Sequence, residues 1–195
     1  MDIKKENLED FKTAVSSTVK SLSNSHKIEV SFGNQTSNSE KNSIKLPDLE
    51  RSGNKINFEE IRAIADSKSL RLRFSNNKTL KKYEPQGNIS KKLYSISEKI
   101  RCEKIGTSYF KGVKNNIENF YQKRILDLEL KSSEDKIIES FENYLRVKFL
   151  DFKNESQIDK KFKSYKKDLN DQFKSKISEL KDFTLDQKKF NSLIS

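Results

Sequence analysis

Most residue types that would announce a chemistry are scarce in this sequence. Its 195 residues include one Cys, one His, two Pro, five Gly and no Trp. A single Cys excludes an internal disulfide, and one Cys with one His excludes an ordinary zinc site. Five Gly and two Pro are too few for a many-turned β-sandwich or a Gly-rich nucleotide fold. No apolar run approaches the roughly 20 residues of a membrane span. The first twenty residues lack an apolar signal core. A cytoplasmic chain without a membrane partner is expected. No G-x-x-x-x-G-K-[ST] stands here to cradle a phosphate, and no H-E-x-x-H stands here to bind a catalytic metal. There is no D-x-S-x-S, the pattern that supplies the divalent-ion site of an adhesion-type α/β domain. The chain alone offers no complete catalytic set, and no metal or cofactor of its own is expected.

What is present is charge and large aromatics. Charged residues make up 35% and hydrophobic ones 32%, but thirteen Phe and six Tyr carry much buried area per residue. A lean, helix-rich fold with a polar exterior follows. The net charge is +11 and unevenly placed. Residues 59–131 carry 17 basic and 9 acidic groups, net +8, against +1 before them and +2 after. Nucleic acid is the first partner such a balance points to. The chain is also rich in Lys, Asn, Ile and Ser and poor in Ala, Gly and Arg, the bias of an AT-rich genome that writes Lys wherever a solvated residue will do. The excess therefore reads first as a solvated exterior.

Periodicity gives the elements. Leu8, Phe11, Val15, Val19 and Leu22 recur at helical steps over 7–23. Ile28, Val30 and Phe32 alternate with polar residues as in a short half-buried strand. One strand cannot satisfy its own backbone, so it needs a partner, around Ile44–Leu46 or from another chain. The polar stretch 33–43 and Ser52-Gly53-Asn54 read as irregular. Asn57 with Glu60 makes a capping-box-like start for a helix over 58–74, with Ile61, Ile64, Ala65 and Leu72 on one face. A helix over 90–105 carries Leu93, Ile96 and Ile100 inward, with Gly106 as its stop. Gly112 precedes a helix carrying Val113, Ile117, Phe120, Tyr121 and Leu128. Residues 134–152 repeat the pattern with Ile137, Ile138, Phe141, Leu145, Phe149 and Phe152. Phe162, Tyr165, Leu169, Phe173, Ile177 and Leu180 form a near-heptad seam. Thr184 with Gln187 resembles a capping box opening a last short helix. The expected fold is mainly α, a helical bundle with one short N-terminal strand or hairpin. Residues 1–56 form an N-terminal part and 57–195 the bundle.

Few polar constellations remain. His26 reads as a surface residue and Cys102 as a small buried hydrophobe. Glu98, Arg101 and Glu103 share one helix. Glu98 and Arg101 are i,i+3 neighbours, either a salt bridge on a wet face or part of a charged network at a helix junction, with Gly112 allowing close approach. Arg62 and Asp66 are i,i+4 partners on the preceding helix, which also bears Arg71 and Arg73. An Arg kept where Lys is so common marks a site for a planar, multi-donor fork. Lys78, Lys81, Lys82, Lys91 and Lys92 frame the Pro85 turn, a solvated loop or a docking face for an acidic surface or a phosphate backbone.

The order of these motifs resembles a known family. Glu98-Lys99-Ile100-Arg101-Cys102-Glu103-Lys104-Ile105-Gly106 is similar to the E-x-x-R-x-E-x-x-G helix of the CobT subunit of aerobic, ATP-dependent cobaltochelatase. Gly112-Val113-Lys114-Asn115-Asn116-Ile117 resembles its G-V-x-x-N-L. Arg62-Ala63-Ile64-Ala65-Asp66 with Leu70-Arg71-Leu72 resembles its R-G-x-A-D-x-x-A-L-R-L. Val30-Ser31-Phe32-Gly33, Leu46-Pro47 and the Asp186-Gln187-Lys188-Lys189-Phe190 segment match in register. The family's Gly after the Arg is Ala63 here, and its H-D pair falls near Ser75-Asn76.

The resemblance implies a subunit that works with an AAA+ ATPase and a large chelatase subunit to insert cobalt into a corrin-ring diamide. ATP, Mg and Co are then handled by other subunits. This chain corresponds to the N-terminal helical region, as a natural short form, a split gene product or a fragment. The resemblance implies for it the role of a non-catalytic assembly and coupling domain. A basic helical nucleic-acid-binding module is the alternative. If the resemblance holds, Arg62, Asp66, Arg71, Glu98, Arg101, Glu103 and Asn116 form a partner-binding or structural charge network, and Gly106 and Gly112 mark the helix junction.

Overall fold

The computed structural model describes residues 3–33, 42–49, 57–129, 132–152 and 155–195. Residues 34–41 of the expected irregular stretch 33–43, and Ser52-Gly53-Asn54, lie outside the described residues, and Ser43 at the end of that stretch opens a strand instead. The elements follow the hydrophobic periodicity closely. Helix α1 spans Ile3–Leu22, strand β1 Glu29–Phe32 and strand β2 Ser43–Leu46. Then come α2 (Phe58–Phe74), α3 (Asn77–Lys82), α4 (Asn88–Tyr109), α5 (Lys111–Asp127), α6 (Ser133–Leu150), α7 (Glu155–Asp182) and α8 (Gln187–Ile194).

The strand pair is parallel, with Val30 opposite Ile44 and Phe32 opposite Leu46. It satisfies the partner requirement that the sequence raised. α1 ends where Asn24 adopts a left-handed conformation, φ +55°, and Ser25 N–H donates to the Lys20 carbonyl. Leu8, Phe11, Val15 and Val19 of α1 pack with Ile28, Phe32, Ile44, Leu46 and Leu49 against Ile61 and Ala65 of α2. The larger core gathers Leu70 and Leu22 with the apolar faces of α4 to α8, centred on Ile100, Ile117, Phe149 and Phe190. α2 therefore stands between two cores, touching α1 and β2 on one side and α4 and α5 on the other.

That position explains why α2 departs from the simple stripe. Leu72, expected inward, is exposed, whereas Ala63, Ser67 and Ser69 are buried. Close helix approach leaves room only for small side chains there, and hydropathy does not mark Ser. Asn57 caps α2 as expected, its side chain accepting from Glu60 N–H. α4 does not stop at Gly106. It runs on to Tyr109, because Gly106 serves the packing instead. A Cβ at Gly106 would lie 2.2 Å from Leu70 Cδ2, so glycine here admits α2 against α4. Gly112 has no such duty, since nothing stands within 4 Å of the place its Cβ would take.

Ser132 and Asp135 form a reciprocal capping box at the start of α6. The seam of α7 buries Phe162, Ile177 and Leu180, with Leu169 and Phe173 packed beside the core, and the helix is kinked at Phe162. Ile137 of α6 is exposed rather than inward. The Thr184–Gln187 box does not form. Asp186 caps α8, accepting from Lys189 N–H, and Thr184 Oγ1 donates to the Lys181 carbonyl. Gln187 instead reaches 111 residues back, where its Oε1 accepts from Asn76 N–H at 2.8 Å and its Nε2 donates to the Asn76 carbonyl. No described helix is long and apolar enough to cross a membrane.

Candidate functional site

The polar residues of the α4 motif, Glu98, Arg101 and Glu103, lie inside the bundle. Glu98 and Glu103 have no exposed surface and Arg101 keeps 1%. The wet-face reading of the Glu98–Arg101 pair is thereby replaced by the junctional one. Arg101 forms a fork on Glu98, Nε to Oε2 and Nη2 to Oε1, both at 2.8 Å. Its remaining donors leave the helix. Nη2 donates to the Phe74 carbonyl at 2.6 Å, at the C-terminus of α2, and Nη1 to the Thr184 carbonyl at 2.9 Å, between α7 and α8. Asn191 of α8 donates from Nδ2 to Glu98 Oε2 at 2.9 Å. One guanidinium thus ties three places in the chain, which needs the planar, multi-donor geometry of Arg. Burial works against the charged form of Arg101, but Glu98 outweighs it and the pKa is raised.

Glu103 points to a second cluster. Its Oε1 accepts from Ser67 Oγ of α2 at 2.5 Å, and its Oε2 pairs with Arg146 Nη1 of α6. Arg146 also donates through Nη2 to Glu142 Oε1 at 2.9 Å. Its guanidinium lies 3.3 Å from the centroid of the Tyr121 ring of α5. Lys99 of α4 donates to Glu142 Oε1 at 2.7 Å and to Tyr121 OH at 3.3 Å. Arg124 closes the group, pairing with Glu139. Burial raises the pKa of Glu142, yet Arg146, Lys99 and Arg124 together hold it well below the usual carboxylate range. Cys102 lies wholly buried beside Glu98, and burial pushes its thiol pKa far up, so it is inert as a nucleophile at neutral pH.

The remaining sequence-nominated residues do not join these clusters. Asp66 is buried, but its Oδ2 accepts from Asn116 Nδ2 of α5 at 2.8 Å rather than facing Glu98 or Arg101. Arg62 lies over the Phe11 ring, 5.3 Å from its centroid. Arg71 donates to Ser95 Oγ at 3.0 Å. Gly106 sits at the α2–α4 contact and Gly112 in open space. The nominated network is therefore not one cluster: Glu98 with Arg101, Glu103, Asp66 with Asn116, Arg62 and Arg71 each find their own partners on one scaffold.

Sequence reasoning missed Arg146, Glu142, Lys99, Tyr121, Ser67 and Asn191. One signal was available. Glu142 and Arg146 are i,i+4 partners that fall among Phe141, Leu145 and Phe149, a charged pair inside an apolar stripe. A charge at such a position must be paired within the protein.

Elsewhere, the Lys run near Pro85 is exposed, with Lys91 paired to Glu84 at 3.3 Å and Lys92 to Glu134 at 2.8 Å. His26 is exposed. Among the described residues no group of three His, Cys, Asp or Glu is placed to hold a metal ion.

Comparison with known proteins agrees with the resemblance in the motifs. A family model described as cobalamin biosynthesis protein CobT matches residues 5–195. The chain belongs to that family. No solved structure matches it.

Proposed function

We propose that this member of the CobT family, a family of cobalamin biosynthesis proteins, is a non-catalytic assembly and coupling domain of a cobaltochelatase complex. In this reading an AAA+ ATPase subunit hydrolyses ATP with Mg, a large chelatase subunit inserts the substrate cobalt into the corrin-ring diamide, and this cytoplasmic chain holds the two in register.

One observation carries the reading. The residues that bear the family motif, Glu98, Arg101 and Glu103, are spent on joining α2, α4, α6 and α8. Buried and fully engaged with protein groups, they build a stiff body instead of meeting a substrate. A rigid helical body suits a coupling element, since tightly packed elements carry displacement between the surfaces they join.

The nucleic-acid reading draws less support. Within the basic middle third, Lys91, Lys92, Lys99, Arg101, Lys104, Lys123 and Arg124 each pair with a carboxylate. Four of these carboxylates, Glu134, Glu139, Glu142 and Asp151, come from outside the segment, so half of its excess is locally neutralised.

The experiment is co-expression of this chain with the AAA+ and large chelatase subunits of the same genome, followed by affinity capture with and without ATP. Co-purification of both is the expected result. Capture of neither, in either condition, overturns the reading. Salt-dependent capture of nucleic acid in their place, with affinity falling on a log–log slope of about −0.9 per phosphate neutralised, supports the alternative.

A further inference from the structure

Helix α3 is held in place although it buries nothing. None of its residues is buried. Ordering a segment costs conformational entropy, which buried apolar area usually offsets. Here polar bonds hold the segment instead. Asn76 Oδ1 caps it, accepting from Lys78 N–H at 2.9 Å and Thr79 N–H at 3.2 Å. Gln187 of α8 bonds both the N–H and the carbonyl of Asn76. Tyr94 OH of α4 donates to the Leu80 carbonyl at 2.9 Å. α3 is therefore a small platform, pinned at both ends, that adds no buried side chain to either core.

What it presents is charge of one sign. Lys78, Lys81 and Lys82 stand at i, i+3 and i+4, so they share one helix face, and all three are exposed. Like charges at this spacing weaken a helix, and α3 contains no acidic residue. The Asn76–Gln187 contact brings the first turn of α8 alongside, with Lys188 and Lys189 exposed. Carboxylates at this corner already hold other lysines. Glu84 pairs with Lys91 at 3.3 Å and Asp186 with Lys189 at 3.9 Å. Among the described residues no carboxylate pairs with Lys78, Lys81, Lys82 or Lys188. A local rule broken at a firmly held place points to function, since stability gains nothing from it.

The surroundings narrow the class of anion. Leu185 lies in the turn that leads into α8, two residues before Gln187, and is 77% exposed. An apolar side chain flanked by charge is how a protein interface is built, with an anchor at the centre and a polar rim. The two rings at the corner are unsuited to stacking on bases. Tyr83 carries Lys82 Nζ 5.4 Å from its centroid, and Phe183 carries Lys189 Nζ at 5.2 Å and packs on the core. α3 and α8 contain no Arg, the residue whose planar fork best matches phosphate.

We propose that the corner formed by α3, α8 and Leu185 docks an acidic segment of a partner protein, its carboxylates on Lys78, Lys81, Lys82 and Lys188 and an apolar side chain on Leu185. The proposal stands on this corner, not on which subunits the chain assembles with. Its probe is synthetic, so its failure leaves the assembly reading standing, and failure of subunit capture leaves it standing.

The probe is a short fluorescein-labelled peptide of alternating Glu and Asp with one central Leu, titrated with the full chain at an ionic strength of about 0.15 M. Its Gln/Asn counterpart and a labelled oligothymidylate of equal length serve as comparisons. Saturable anisotropy with the acidic peptide, none with the amide counterpart, and NMR amide shifts gathered at residues 78–82 and 185–189 are expected. The triple variant Lys78→Gln, Lys81→Gln, Lys82→Gln should bind about tenfold more weakly, and Leu185→Ser about threefold. Exposed lysines elsewhere give the control, and Lys111→Gln, Lys114→Gln, Lys136→Gln together, the same loss of charge, should leave affinity unchanged. Far-UV circular dichroism reports the fold of each variant. Should the α3 variant lose structure, the shift map and Leu185→Ser decide. The proposal is overturned by the absence of saturable binding, by shifts gathered at other residues, by wild-type affinity in Leu185→Ser, or by equal losses in the two lysine variants. Oligothymidylate binding at the same residues as tightly as the peptide also overturns it, in favour of nucleic acid.

Discussion

Arg101 donates to the carbonyl of Phe74 at 2.6 Å, joining the middle of α4 to the last residue of α2. Carbonyls in the last turn of a helix lack intrahelical partners. Here a buried guanidinium supplies one and at the same time balances the charge of Glu98. The end of one helix and the centre of another are therefore satisfied by the same side chain, and neither is easily changed alone.

Replacing Arg101 by Ala is expected to destabilise the chain by roughly 3–5 kcal/mol, because it leaves Glu98 buried without its counter-charge and orphans the Phe74 and Thr184 carbonyls. Arg101→Lys should recover only part of this, since an ammonium cannot span the three acceptors. Urea unfolding followed by far-UV circular dichroism measures both. A loss under about 1 kcal/mol, the range of an exposed pair, would contradict the buried clamp.

The two nominated glycines should respond with opposite signs. Gly106→Ala drives a methyl into Leu70, a fully buried side chain, and overpacking of this kind costs about 1–3 kcal/mol. Gly112→Ala meets no atom and lies within the first turn of α5, so it should be neutral or stabilise by up to about 1 kcal/mol. Adding Leu70→Ala to Gly106→Ala should lower the cost of the latter, and thermal melts of the wild type, the two single variants and the double variant give that coupling.

Acid should remove the stabilisation that Glu142 contributes. Its folded pKa is depressed from the ordinary value of 4.5, so its contribution is complete above that value and is lost as the pH falls from there toward the folded pKa. Glu142→Gln is expected to reduce stability at neutral pH and to unfold with a shallower acid limb. The gap between variant and wild type should narrow below pH 4.5. Equilibrium unfolding at a series of pH values tests this, and parallel curves would refute it.

Asp66 carries the reverse sign. Its pKa is raised from 3.8, so the native state holds its proton to a higher pH than the unfolded chain does. The stability linked to that proton is present below 3.8 and is lost as the pH rises through the folded pKa. Asp66→Asn keeps an acceptor for Asn116 and cannot ionise. Its stability relative to wild type should therefore rise across that window and then level off. A relative stability that falls with pH in the same series would contradict the assignment.

Much of this architecture is legible in the sequence because hydrophobic periodicity is a local property. The spacing of Leu8, Phe11, Val15 and Val19, or of Phe141, Leu145 and Phe149, marks a buried face whatever it is buried against. The alternation at Ile28, Val30 and Phe32 marks a strand, and the need of its backbone for hydrogen bonds points to Ile44–Leu46. The motif Glu98, Arg101, Glu103 is visible as a set of charges on one helix.

Whether those charges are wet or dry is not a local property. Glu98–Arg101 at i,i+3 looks the same on a solvated face as at a junction, and only the arrival of Phe74, Thr184 and Asn191 from distant parts of the chain desolvates it. The pairing of Glu103 with Arg146 spans 43 residues, and that of Asp66 with Asn116 spans 50. Each could have been exchanged for another partner of the same charge without altering any local pattern. The sequence by itself determined the long helices, the short strands and most of the apolar faces, since these depend on residues within a few turns of one another, while the short polar helix α3, which has no apolar stripe, reads in sequence as part of a solvated loop. Tertiary structure alone decided the distant partners of the buried charges, because a desolvated ion takes whichever complementary group the packing of the helices brings within reach.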